Sequence, residues 1–114
     1  MLEALWSVNF TLIPTGTAIF GNGVAVLNNG NIRGGDSTYY YTGTYQINNG
    51  VFTADVSIIH YSGPLNNVLG TEIKKTQVTL TGTPDTHEFE ASGISKEHQQ
   101  PITVRLERLT GLSA

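Results

Sequence analysis

From residue 4 onward, apolar and polar side chains alternate strictly. Ala4, Trp6, Val8, Phe10 and Leu12 share one face, and Leu5, Ser7, Asn9, Thr11 and Ile13 share the other. A period of two is the mark of a half-buried strand, because successive side chains leave a pleated backbone on opposite sides. The pattern returns where Phe52, Ala54, Val56, Ile58 and His60 oppose Thr53, Asp55 and Ser57, and again where Ile102, Val104 and Leu106 oppose Thr103, Arg105 and Glu107. Turn chemistry separates these runs. Asn29-Gly30 and Asn48-Asn49-Gly50 favour tight hairpins, in which both central residues take positive φ. Pro14-Thr15-Gly16 and Gly82-Thr83-Pro84-Asp85 also break the pattern. Eight strands are predicted, at about 4–13, 17–27, 32–33, 37–45, 51–60, 72–81, 86–91 and 102–109. Gly21-Asn22-Gly23 reads as a bulge or kink in the second strand, and 93–101 as a connection. Strands of this number and spacing predict an all-β domain, 1–114, built as an antiparallel up-and-down barrel or a sandwich.

The most distinctive stretch is Gly34-Gly35-Asp36-Ser37-Thr38-Tyr39-Tyr40-Tyr41-Thr42-Gly43-Thr44-Tyr45. Paired glycines suit a sharp reversal or bulge, and Asp36 is placed to accept hydrogen bonds from backbone amides just beyond it. In the strand that follows, Tyr39, Tyr41, Gly43 and Tyr45 share a face. If that face points inward, the rings supply apolar bulk and each hydroxyl needs a partner. Gly43 marks a bend or a close approach. The tyrosines either fill the interior or line a pocket, together with Trp6, Phe10, Ile58 and His60.

Composition narrows the chemistry. The chain has no cysteine, which removes thiol catalysis and thiolate metal sites. Six basic against nine acidic residues, without a basic cluster, argue against direct nucleic-acid binding. No basic leader and no membrane-length apolar run is present, so a cytoplasmic location without membrane contact is expected. His60, His87 and His98 stand on different segments without metal-ligand spacing, and neither a metal nor another cofactor is expected. The scattered carboxylates and the lack of a nucleophile-elbow serine give no sign of catalysis. Asn9-Phe10-Thr11 matches a glycosylation sequon and reads as an outward strand position.

Read together with Gly23-Val24-Ala25-Val26-Leu27-Asn28-Asn29-Gly30-Asn31-Ile32-Arg33, the tyrosine stretch resembles the GrlR-like family, small regulators named for a negative regulator of type III secretion. The resemblance covers about 20–61. It implies a calycin-like, lipocalin-like barrel of about eight strands, commonly a homodimer, that binds a protein partner such as a transcriptional regulator and sometimes encloses an apolar cavity. One departure matters. The family carries an acidic run in the turn after the tyrosine strand, where this chain has Gln46-Ile47-Asn48-Asn49-Gly50. A neutral turn cannot attract a basic partner surface, so neither the family's partner nor its link to secretion carries over.

Two functions are therefore expected from the sequence. The first is a non-enzymatic, GrlR-like regulator that acts by protein binding, with Asn48, Asn49, Leu65, Val68 and Leu69 on partner-facing loops. The second is a small carrier holding an apolar ligand beneath the 63–70 loop. An enzyme would need a convergent set such as His60, Asp36 and a tyrosine around one pocket.

Overall fold

The computed structural model describes residues 2–12, 19–63, 74–96, 99 and 101–112. Eight strands form, β1 (Ala4–Leu12), β2 (Ile19–Asn28), β3 (Asn31–Gly35), β4 (Tyr39–Asn48), β5 (Val51–His60), β6 (Lys75–Gly82), β7 (Glu88–Ser95) and β8 (Pro101–Gly111). Each pairs antiparallel with its neighbours in sequence, and β1 pairs β8 to close the barrel. Closure excludes the sandwich and removes the two outer edges that an open sheet would expose. This is the architecture of calycin-like small barrels.

The period of two has its predicted effect. Ala4, Trp6, Val8 and Phe10 are buried, as are Phe52, Ala54 and Ile58, and Ile102, Val104 and Leu106. Asn9, in the sequon, is exposed. Asn29 and Asn49 take φ of 51° and 53°, and Gly30 and Gly50 follow at 80° and 77°, as the hairpin turns require. These hairpins, both termini of the barrel wall and the 83–87 turn gather at one end. At the opposite end the Asp36 turn joins β3 to β4, and Tyr61 leads out of β5.

Four local expectations are corrected. Gly34 and Gly35 are not a reversal; they end β3, opposite Ala25 and Val24, and the turn is made by Asp36, Ser37 and Thr38. Gly21-Asn22-Gly23 is not a bulge, because β1 and β2 stay in register from Ala4↔Leu27 to Leu12↔Ile19. The register shift lies instead between Leu5 and Trp6 on their pairing with β8. Finally, β7 runs through Gly93 to Ser95, and β8 starts at Pro101 and continues to Gly111.

Glycine stands at these positions because backbone crosses them. A Cβ on Gly34 would lie 2.2 Å from the Val24 carbonyl oxygen, and one on Gly43 2.0 Å from that of Asp55. Side chains are excluded wherever a twisted, closed sheet brings neighbouring strands this near.

Candidate functional site

The barrel interior has two aromatic levels. Near the hairpin end, Trp6 meets Phe89 edge-on at 5.4 Å, Phe89 meets Phe52 at 5.1 Å, and Phe52 stacks on Tyr45 at 5.8 Å. The Trp6 indole N–H donates to the Leu2 carbonyl (2.9 Å), so the segment before β1 folds over this end. The Tyr45 hydroxyl donates to Glu3 Oε2 at 3.2 Å.

At the opposite end Asp36 organises the tyrosines. Its Oδ1 accepts the backbone N–H groups of Thr38 (2.8 Å) and Tyr39 (2.7 Å), as the sequence predicts. Its Oδ2 accepts the Tyr41 hydroxyl, and its carbonyl accepts the hydroxyl of Tyr61. Tyr39 and Tyr41 are both buried, and Tyr39 meets the His60 ring at 5.5 Å. The His60 Nε2 lies 2.8 Å from the Gly63 carbonyl oxygen. Nearby, the buried hydroxyls of Thr76 and Ser95 bond each other at 2.9 Å.

Burial, then the Asp36 carboxylate that accepts its hydroxyl, push the Tyr41 phenol well above its ordinary value of 10.0. Tyr39 is raised by burial and by the same carboxylate. A raised folded-state value means that the native protein keeps a proton the unfolded chain gives up above about pH 10. Stability contributed by Tyr41 is therefore complete below that pH and is lost as the pH rises further. The expected slope is up to about 1.4 kcal/mol per pH unit for each such group. Urea unfolding at several alkaline pH values checks this, and Tyr41→Phe is expected to flatten the slope.

Between the two levels, among the described residues, lies an apolar void of about 50 Å³, walled by Val8, Phe10, Tyr41, Ile58, Val78 and Val104 among others. That is about a third of the ~150 Å³ cavity that holds one benzene, and far below the ~300 Å³ at which ligand pockets begin. Phe10, Tyr41 and Ile58 do line it. Trp6, Tyr39, Tyr45 and His60 do not, which corrects the expected lining: Trp6 and Tyr45 belong to the aromatic stack beneath it, and Tyr39 and His60 to the Asp36 end above it. Gly34 and Gly35 serve the wall rather than a turn, whereas Asp36 has the capping role expected of it. Asn48 and Asn49 are exposed at a hairpin tip. Leu65, Val68 and Leu69 lie outside the described residues.

Tyr40 and Tyr61 are not among the residues that the sequence singles out as site candidates. Their rings are 6.2 Å apart and exposed on the outer wall. The alternation carried the signal for Tyr40, since it must face away from Tyr39 and Tyr41. Tyr61 follows the end of β5, and nothing local announced its contact with Asp36.

No model of a known protein family matches the chain, and no curated protein is significantly similar to it.

Proposed function

We propose that this protein is a non-enzymatic regulator of the GrlR-like kind, active as a homodimer that binds another polypeptide. The small void among the described residues of the interior is the observation that supports this reading. A void of about 50 Å³ among the described residues favours recognition on the outer surface. A carrier of an apolar ligand would need several times that volume.

Asp36 and His60, named above as parts of the set an enzyme would need, are engaged in holding the fold. The Asp36 carboxylate caps a turn and accepts a buried phenol, and the His60 ring is held at the Gly63 carbonyl. Among the described residues no cluster of His, Asp and Glu gathers as metal ligands. Leu109 and Leu112, exposed at the end of β8 beside Leu5, offer apolar surface to a second copy.

Native mass spectrometry of the protein drawn gently from its own host tests the reading. The expected species is twice the 12.3 kDa chain, alone or joined to another polypeptide. A monomer or dimer carrying a small apolar compound would instead establish the carrier.

A further inference from the structure

The outer wall from β2 to β5 carries a band that the barrel itself does not need. The strand registers align Val24 with Gly35, Gly35 with Tyr40, and Tyr40 with Ile59 in one row across the wall. Val24 is 45% exposed, Tyr40 42% and Tyr61 56%. Ile59 is half-buried, and Tyr61 adds its ring to that of Tyr40. Gly35 joins them without a side chain of its own, its position closed by the Tyr39 carbonyl oxygen, which a Cβ there would meet at 2.9 Å. Exposed aromatic and aliphatic side chains grouped on one face are the anchor points a partner's apolar side chains use.

Cations rim the band. Arg33 lies two residues from Gly35 on the same face of β3, Lys75 pairs with Ile59 across β5 and β6, and Lys74 precedes it. These are three of the six basic residues in the chain. None has a carboxylate partner among the described residues; the described ion pairs join Arg105 to Glu88 and Glu107, on β7 and β8. The Arg33 guanidinium instead donates to the carbonyls of Ile32 (2.8 Å) and Gly43 (3.4 Å). Two carboxylates of the described residues stand on the neighbouring strands and turn. Asp36 is engaged by two amides and the Tyr41 hydroxyl, and Asp55 stands four residues from Ile59, about 13 Å along β5, where Thr79 donates to it.

We propose that this wall docks an acidic segment of a partner protein, with apolar side chains seated on Val24, Gly35, Tyr40 and Tyr61 and carboxylates facing Arg33, Lys74 and Lys75. The inference rests on the protein-binding reading above and names the surface and the chemistry of the partner. A second copy in this place would set like charges against one another, whereas an acidic segment meets a rim of opposite sign.

The test is a selection of displayed random dodecapeptides on the full-length protein. Enriched sequences are expected to combine aromatic or aliphatic residues with two or more Asp or Glu. Binding of the best synthetic peptide should weaken about tenfold or more in Tyr40→Ser and in Lys75→Glu. It should also weaken with salt, and it should be unchanged in Thr79→Ala. Val24→Ser serves as a second probe of the same band, with circular dichroism to confirm folding. A neutral or basic consensus, or full binding by both Tyr40→Ser and Val24→Ser, overturns the assignment of this wall and leaves protein binding standing. So does a homodimer that falls apart in Tyr40→Ser, since the band would then be the contact between copies. If no peptide enriches, the surface assignment falls; if the native protein also carries a small apolar compound, the protein-binding reading falls with it.

Discussion

Trp6→Ala is expected to lower the free energy of unfolding by about 3–5 kcal/mol, a large share of the ~5–15 kcal/mol that holds a domain of this size together. Trp6 is fully buried, and its ring begins the chain of contacts through Phe89 and Phe52 to Tyr45. Truncation removes apolar surface, leaves a cavity and breaks an edge-on aromatic contact worth about 1 kcal/mol. It also takes the donor from the Leu2 carbonyl, loosening the segment that covers this end of the barrel. Trp6 is the only tryptophan, so the transition must be followed by circular dichroism rather than by indole fluorescence. Trp6→Phe keeps an aromatic ring but not the hydrogen bond, and should lose clearly less. A change under about 1 kcal/mol in Trp6→Ala would mean that this aromatic level does not hold the barrel.

The second large effect is expected at Gly93. A Cβ there would stand 1.8 Å from the Thr79 carbonyl oxygen, an atom of the facing strand that cannot swing aside as a side chain would. Gly93→Ala therefore forces β6 and β7 apart where Leu80 pairs with Gly93, and about 3 kcal/mol or more of stability should be lost. Gly50→Ala is the informative contrast. Its Cβ would meet nothing within 4 Å, but φ is +77°, so only backbone strain of about 1–2 kcal/mol is expected. Urea midpoints of the two variants, measured side by side, separate close approach from backbone strain. If Gly93→Ala is no worse than Gly50→Ala, the contact between β6 and β7 is looser than these distances require.

The two glycines also show how much could be read before the structure. Gly50 follows asparagine between two alternating runs, a local arrangement with one common solution, and the hairpin is where the sequence places it. Gly93 and the Gly34-Gly35 pair carried no such context. A glycine can mark a turn or a place where another strand passes close, and the two look alike until the passing strand is known. Hence Gly34 and Gly35 read as a reversal and stand in β3, and β7 runs on through Gly93.

The candidate site divided in the same way. Asp36 as the acceptor of the following amides was legible, since an Asx turn needs only residues within three positions. Its links to Tyr41 and Tyr61 were not, and neither was the separation of Trp6 and Tyr45 from Tyr39 and His60. Those depend on height along the barrel axis, which strand stagger sets.

What the sequence determined by itself was the strands, their inward faces and the hairpin turns, because each follows from side-chain alternation and backbone freedom within a few residues. Only the tertiary structure decided that the sheet closes, that the void among the described residues is about 50 Å³, and that Val24, Tyr40 and Tyr61 lie on one outer wall. Closure, the size of that void and adjacency depend on the register between strands, and register is the sum of pairings around the whole barrel.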